Sequence, residues 1–176
     1  KIVNKENIKK KNLIIAIPSN GVNSNGYSLI RYILNKKKIN LNKNKFLKKE
    51  LIKPTKIYVK EVLKLLKYNL INGCANITGG GLADNIKRVI PNGLTANIDL
   101  SKIKTKKIFK WLKKNNIDDK EMLTTFNCGV GFCIIINQKN FGKIKKFFTK
   151  KFEPYIIGNI ITGKNKVKIN EKINWS

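Results

Sequence analysis

Three polar segments that contain glycine hold the residues best suited to chemistry, and for the first two that chemistry is the binding of phosphate. They run from Ser19 to Gly26, from Thr78 to Gly81 and from Thr124 to Gly131, and we call them the first, second and third glycine loops. Glycine lets a ligand approach the bare main chain, where amide hydrogens can donate to an anionic oxygen alongside hydroxyl and side-chain amide groups. The first two segments therefore predict places where a phosphoryl group could bind, whereas Gly129 and Gly131 in the third indicate a bulge or bend at the start of a buried strand.

The first glycine loop lies between an apolar run at residues 12–17 and a helix predicted to begin at Tyr27. Its hydroxyl and amide side chains, together with the amide hydrogens at the start of that helix, would suit a phosphate. The spacing is neither the G-x-G-x-x-G pattern of dinucleotide sites nor a Walker loop, which requires Lys and Ser or Thr after the second glycine. A polar loop that caps the helix explains the same residues without a ligand.

The second glycine loop contains three consecutive glycines, Gly79 to Gly81, between a predicted strand and a predicted helix. Fixing three glycines in one conformation costs much conformational entropy, so they are not mere filler. Either a phosphate or a neighbouring element approaches the backbone there, and the residues alone leave both interpretations open. Asp84 lies in the first turn of the following helix, where it either holds Mg²⁺ or complements the helix dipole.

The chain has no histidine and three cysteines, Cys74, Cys128 and Cys133. This composition excludes Cys/His zinc sites as well as Ser-His-Asp and Cys-His catalysis. Cys128 has no adjacent Lys to activate its thiol, so we interpret it as structural. A sparse, odd number of cysteines indicates a reducing compartment, and we expect a cytoplasmic protein. No apolar run approaches the roughly 18 residues of a membrane span, so no membrane partner is expected.

The elements that must position these loops follow from the spacing of apolar residues, which predicts the order β-α-α-β-α-β-α-α-β-α-β-β. Strands are predicted over residues 12–17, 74–78, 94–100, 131–137, 155–162 and 167–169. Helices are predicted over residues 27–38, 55–68, 82–89, 105–114, 118–123 and 141–150. The Lys- and Asn-rich residues 35–50 are predicted to form a surface loop. This order is typical of an α+β (α/β layered) domain in which helices cover a mixed β-sheet.

The charge of the chain is strongly positive, with 38 basic residues against 10 acidic ones and a net charge of +28. Only Arg31 and Arg88 are arginines. Because Lys, Asn and Ile have A- and T-rich codons, we interpret much of this charge as drift in nucleotide composition. The competing interpretation is a basic RNA-binding module. Dispersed lysines without interleaved base-stacking aromatic residues favour a solvated surface, so no specific nucleic-acid partner is expected.

Four longer motifs occur together in a fixed order. They are PSNGVNSNGYSLIR at 18–31, LIKPTKIYVKEVL at 51–63, NITGGGLADNIKRVIPNG at 76–93 and EMLTTFNCGVGF at 121–132. These motifs resemble the C-terminal domain of the aminoimidazole ribonucleotide synthetase family, the phosphoribosylformylglycinamidine cyclo-ligases. The similarity runs from about Leu13 to Ile169, which is nearly the whole chain.

The resemblance implies an ATP-dependent ligase of purine biosynthesis that turns formylglycinamidine ribonucleotide into aminoimidazole ribonucleotide. In that reaction the formyl amide oxygen is phosphorylated, an internal nitrogen attacks the carbon, and phosphate leaves. The resemblance further implies ATP and Mg²⁺ as cofactors, a homodimer, and an N-terminal domain that is missing here, without which we expect this fragment to be inactive. We expect residues 1–11 to be a linker to that domain, residues 12–170 to form the C-terminal domain, and residues 171–176 to form a tail.

The resemblance also implies which residues contact substrate or phosphate, and these are spread over the three glycine loops and the helix after the second. They are Ser19, Asn20, Gly21, Ser24, Asn25, Gly26, Thr78, Gly79, Gly80, Gly81, Asn85, Thr125 and Asn127. Asp84, where the family usually has Glu, is the metal candidate. Asn23 and Asn76 stand where the family usually has His, and with Asn25 they are the catalytic candidates. Since the Asn side chain neither gains nor loses a proton near pH 7, these positions either orient phosphate or have lost proton transfer.

Three alternatives to the cyclo-ligase stay open. The first is another ATP-using member of the superfamily, namely a formylglycinamidine synthetase, a selenophosphate synthetase or a thiamine-phosphate kinase. The stretches PTKIYVK (54–60) and TFNCGVG (125–131) favour the cyclo-ligase over these enzymes. The second is the RNA-binding module, and the third is a remnant that folds but has lost its chemistry together with its histidines.

Overall fold

A single six-stranded β-sheet organises the computed structural model, which describes residues 3–176. The strands, in chain order, are β1 (Leu13–Pro18), β2 (Gly73–Asn76), β3 (Leu94–Asp99), β4 (Val130–Ile136), β5 (Tyr155–Thr162) and β6 (Val167–Asn170). Their spatial order is β2-β4-β1-β5-β3-β6. Neighbouring strands run antiparallel except for β3 and β6, which are parallel. The sheet is therefore mixed, as the sequence predicts.

Helices connect these strands. They are α1 (Tyr27–Lys36), α2 (Lys45–Leu51), α3 (Val59–Lys67), α4 (Gly81–Lys87), α5 (Lys107–Lys113), α6 (Asp119–Thr125) and α7 (Phe141–Lys145). Each predicted strand and helix is present, although α3 begins later and α7 ends earlier than predicted.

The prediction of a surface loop over residues 35–50 is wrong, because this stretch contains most of α2. The Asn44 side chain begins the helix by accepting a hydrogen bond from the backbone N–H of Leu47 at 3.0 Å. Leu47 and Leu51 lie four residues apart on one face and are buried in the core. Two apolar positions among many lysines give too weak a periodic signal for the helix to be predicted.

Both faces of the sheet are covered, and successive strand residues point to opposite faces. One face carries Ile14, Ala16 and Ile135 and packs against α1, α2, α4, α5 and α6. The opposite face carries Ile15 and Ile17 and packs against α3 and α7. The structure confirms the predicted α+β class, with the sheet as the middle of three layers.

The strand registers bring the three glycine loops to one end of the sheet. Pro18 at the end of β1 pairs with Val130 at the start of β4, and Asn76 at the end of β2 pairs with Phe132. In an antiparallel pair, the end of one strand lies beside the start of its neighbour. The first, second and third glycine loops therefore meet at this end, which we call the loop end.

The two terminal segments of the chain pack against the domain. Residues 1 and 2 of the expected linker lie outside the described residues, whereas Ile8 is buried with its side chain against Gly73. In the expected tail, Ile173 is buried and the Trp175 indole nitrogen donates to Asp119 Oδ1 at 3.1 Å. The helices of the described residues are too short or too polar for any of them to span a bilayer.

Candidate functional site

Phe126 is the residue on which the glycine loops converge. A Cβ atom added to Gly26 would lie 2.2 Å from the Phe126 ring, and one added to Gly81 would lie 3.5 Å from the Phe126 carbonyl oxygen. The same Cβ on Gly81 would lie only 1.7 Å from the carbonyl oxygen of Leu123 in α6. Gly26 and Gly81 also have φ of +79° and +68°, which disfavour residues with a side chain. These glycines allow the first two loops to pack against the segment that leads into the third.

Asn127 fixes the first glycine loop to the third. Its side-chain nitrogen donates to the carbonyl oxygens of Gly21 at 3.0 Å and Val22 at 3.1 Å. Its side-chain oxygen accepts from the backbone N–H of Gly129 at 2.9 Å. Because this buried amide already bonds to protein on both its oxygen and its nitrogen, Asn127 acts as a positioning residue, and its predicted direct contact with substrate stays a prediction.

Asn85 organises the second glycine loop in the same way. Its buried side-chain nitrogen donates to the carbonyl oxygen of Gly81 at 2.7 Å and lies 3.2 Å from that of Gly79. The Thr78 hydroxyl donates to the Asn85 side-chain oxygen at 3.2 Å. Gly79 itself is exposed, and a Cβ atom there would have nothing within 4 Å. The loop is therefore held from within by Asn85 and offers bare backbone to the outside at Gly79.

Two side-chain oxygens of the first glycine loop, Ser19 Oγ and Asn23 Oδ1, are buried without a hydrogen-bond partner among residues 3–176. Buried polar atoms nearly always have a partner, so these two atoms indicate where a bound group or an ordered water would complete the site. Asn23 has a φ of +60°, in the left-handed region that Asn and His adopt more readily than most residues.

The remaining predicted residues of the loops differ in exposure. Asn20 is half-buried, and its side-chain nitrogen donates to the carbonyl oxygen of Pro54 at 2.9 Å. The Thr125 hydroxyl donates to the Glu121 carboxylate. Ser24 is exposed and Asn25 half-buried, so both side chains reach solvent at the loop end.

Lys53 and Lys104 lie beside the first and third glycine loops, a clustering that the sequence did not predict. Burial, followed by the charges of Lys53 and Lys151, lowers the pKa of Lys106. The Lys53 side chain lies 3.7 Å from where a Cβ on Gly21 would be, and Lys104 lies two residues before Lys106. Lys53 is also paired with the Glu50 carboxylate, whose charge raises the pKa of Lys106. The positive charge that remains on this group of lysines would attract polyphosphate. Because lysine occurs in every segment, the sequence carried no signal for this cluster.

The sequence pattern of the family described as "AIR synthase related protein, C-terminal domain" matches residues 9–170. The chain belongs to this family. The resemblance noted from the four motifs is therefore confirmed, and the motifs supply all three glycine loops of the AIR synthase C-terminal domain.

Curated relatives are identical to this domain at more than a third of the aligned positions. It is 39% identical over 169 residues to the phosphoribosylformylglycinamidine cyclo-ligase of Ligilactobacillus salivarius (strain UCC118), covering 91% of this chain and 49% of that protein. It is 40% identical over 160 residues to the protein of the same name from Staphylococcus aureus (strain Newman), covering 88% of this chain and 46% of that protein. The chain spans about half the length of these relatives.

Solved structures share the fold at much lower identity. The Escherichia coli hydrogenase maturation protein HypE matches with a TM-score of 0.62 and 13% identity, over 94% of this chain and 48% of that one. Thiamine monophosphate kinase from Aquifex aeolicus matches with a TM-score of 0.60 and 11% identity, over 97% and 53% of the chains. Thermotoga maritima PurL complexed with ADP matches with a TM-score of 0.58 and 9% identity, over 94% of this chain and 23% of that one. At these identities the likeness shows the fold alone.

Asp84 and Asn76 lie on the exposed side of the AIR synthase domain near the second glycine loop. A Cβ on Gly80 would lie 2.9 Å from Asp84 Oδ2, so the carboxylate stands directly beside the glycines. Within residues 3–176 there is no group of three or more Cys, Asp or Glu side chains that could hold a metal ion. A single carboxylate still suits Mg²⁺, which commonly takes one or two carboxylates and fills its other positions with water and phosphate oxygens.

Tyr58 and Cys128 are buried residues that support the loop end. The Tyr58 hydroxyl donates to the carbonyl oxygen of Pro18 at 2.9 Å, and burial raises its pKa well above the usual value of 10. Burial, with a smaller contribution from the charge of Asp119, raises the pKa of Cys128 to about 12. The Cys128 thiol donates to the carbonyl oxygen of Met122 at 3.3 Å, in agreement with the structural role expected for it.

Proposed function

We propose that this domain is the C-terminal half of an ATP-dependent cyclo-ligase that converts formylglycinamidine ribonucleotide into aminoimidazole ribonucleotide. The observation that carries the proposal is the identity of 39–40% over about nine-tenths of the chain to proteins named phosphoribosylformylglycinamidine cyclo-ligase. The formylglycinamidine synthase and thiamine phosphate kinase alternatives are represented by fold neighbours at only 9–13% identity. The sequence relatives therefore favour ring closure over these two activities.

The geometry of the loop end suits this chemistry. Phosphorylating the formyl oxygen and releasing phosphate after ring closure both develop negative charge on phosphoryl oxygens. Fixed backbone amides and cations stabilise such charge without reorganising during the reaction. The exposed backbone at Gly79 and the Ser19 hydroxyl would donate to phosphoryl oxygens, and the lysines near Lys106 would attract them. The unpartnered side-chain oxygen of Asn23 would accept from an N–H of the substrate.

We further propose that Asp84 contributes one ligand to Mg²⁺, which would neutralise charge on the polyphosphate of ATP. The other ligands would come from phosphate oxygens, water and the upstream half. Asn23 and Asn76 would orient substrate rather than transfer protons, because a side-chain amide is not ionised near pH 7. Following the family resemblance, the complete enzyme is proposed to be a cytoplasmic homodimer.

The test is a ring-closure assay on a joined protein. The part of the Ligilactobacillus salivarius cyclo-ligase that this chain does not match is fused ahead of Lys1, and formation of aminoimidazole ribonucleotide is followed with and without ATP. We expect ATP-dependent product from the fusion and none from the chain alone. The variants Asn23→His and Asn76→His in the fusion measure how much the two substitutions cost.

The result against the proposal is a folded fusion that makes no product even with both histidines restored, while the complete relative does so in the same assay. The RNA-binding alternative predicts something different. Binding of a non-specific RNA would then fall steeply with salt and would not respond to ATP or Mg²⁺.

A further inference from the structure

Helix α3 presents an apolar surface to solvent. Ile57, Val59 and Leu63 are 73%, 58% and 59% exposed, and they line a groove of about 380 Å³ together with the half-buried Phe132. We call these four residues the α3 face. Single exposed apolar side chains are ordinary, whereas a contiguous group of them marks an interaction surface. The opposite side of α3 already packs on the sheet, and residues 3–176 leave the α3 face uncovered.

This surface continues along the helix to the beginning of the described chain. A second depression shares Leu63 and adds Leu66, and a third is lined by Leu66 together with Val3 and Lys9. Val3, where the described chain begins, therefore lies beside the C-terminal end of α3. The groove is also lined by Asn76, which lies two residues before the second glycine loop.

We propose that the α3 face is the docking surface for the upstream half of the curated relatives, the part that this chain does not match. Those relatives are about twice as long as the matched segment, and the family pattern is described as a C-terminal domain, so the additional residues precede it. An upstream half that enters at Val3 and follows α3 reaches Asn76 and closes over Gly79. The inference rests on the proposed function only for the identity of this half.

Docking is tested by the reactivity of cysteines placed on the surface. Leu63→Cys is labelled with a maleimide in the isolated chain and in the fusion with the Ligilactobacillus salivarius upstream half, and each labelled peptide is followed by mass spectrometry. Ile52→Cys is the control, because Ile52 is 74% exposed and follows α2, which packs on the other face of the sheet. We expect at least a tenfold slower reaction of Leu63→Cys in the fusion and less than a twofold change for Ile52→Cys. Equal reaction of Leu63→Cys in both proteins, with the fusion melting cooperatively, overturns the proposal.

A second measurement tests docking if the fusion fails to fold. The two halves are purified separately and mixed, and Ile57→Asp is compared with Ile52→Asp, which has the same residue type and nearly the same exposure. We expect Ile57→Asp to weaken association at least tenfold in sedimentation velocity and Ile52→Asp to change it less than twofold. Absence of any complex, or equal effects of both variants, contradicts the inference. A dimer of the isolated chain that Ile57→Asp abolishes also contradicts it, because a second copy would then cover the α3 face.

Failure of the docking inference and failure of the proposed function give different results. Cysteine labelling and sedimentation do not depend on turnover. A fusion that protects Leu63→Cys but makes no product supports docking and counts against the cyclo-ligase. A fusion that closes the ring while Leu63→Cys reacts freely keeps the function and overturns docking.

Discussion

Replacing Gly81 by alanine tests whether the close contact between the second glycine loop and α6 shapes the site. A Cβ at this position would lie 1.7 Å from the Leu123 carbonyl oxygen, which belongs to backbone and cannot rotate away. Separating α4 from α6 to make room costs about 1–3 kcal/mol, as for other overpacked positions. The φ of +68° adds roughly 1–2 kcal/mol for a residue with a side chain. We therefore expect Gly81→Ala to lower the free energy of unfolding by about 2–5 kcal/mol.

Two other glycines separate these two contributions. Gly93 has a φ of +76° but nothing within 4 Å of an added Cβ, so Gly93→Ala measures the conformational cost alone, about 1–2 kcal/mol. Gly79 has neither a positive φ nor a neighbour within 4 Å, and Gly79→Ala should stay within about 0.5 kcal/mol of the parent. Urea denaturation followed by circular dichroism gives all three values under one condition. If Gly81→Ala costs no more than Gly93→Ala, the contact with α6 is not the constraint that we describe.

Three further predictions concern the buried amide, the thiol and the lysine cluster. Asn127→Ala should lower the free energy of unfolding by about 2–3 kcal/mol in the same urea assay, because buried carbonyls of the first glycine loop lose their hydrogen-bond donor. A loss below about 0.5 kcal/mol would contradict the positioning role of Asn127. Stability should fall as pH rises from about 9 toward 12, since the unfolded chain releases the Cys128 proton near 9.0 whereas burial raises the folded pKa to about 12. Cys128→Ala should make that decline in urea midpoints shallower without abolishing it, because burial also raises the pKa of the Cys133 thiol. An unchanged slope would show that Cys128 does not contribute. Lys151→Ala should raise the pKa of Lys106, measured by NMR titration, because it removes a neighbouring positive charge; no upward shift would refute the cluster.

The sheet and its helices could be predicted because their apolar residues repeat with the right period. The run Leu13–Ile17 and the alternation within residues 94–99 already indicate strands, and antiparallel pairing then brings the glycine loops to one end. Helix α2 could not be predicted, because Leu47 and Leu51 are its buried apolar residues in a segment otherwise rich in lysine. Local pattern is enough where the core supplies many apolar positions and fails where it supplies two.

The sequence predicted which loops form the candidate site, but not which hydrogen bonds the side chains of those loops make. The Asn127 side-chain amide donates to the carbonyl oxygen of Gly21, 106 residues away in the sequence. The Asn85 amide donates to the carbonyl oxygens of Gly79 and Gly81. A sequence shows that an amide is available but not which distant carbonyl it meets. Phe126 gave no signal either, because its importance comes from the side chain that Gly26 lacks.

Turnover of a Gly79→Val variant tests the central claim most directly, namely that bare backbone at the loop end holds phosphoryl oxygens. An added side chain at Gly79 projects into open space, so the free energy of unfolding of the variant should lie within about 1 kcal/mol of the parent's. In the fusion with the upstream half, the account predicts that kcat/KM for ring closure falls roughly a hundredfold, as when a backbone or amide donor to developing charge is lost. Unchanged kcat/KM in the folded variant would contradict the account.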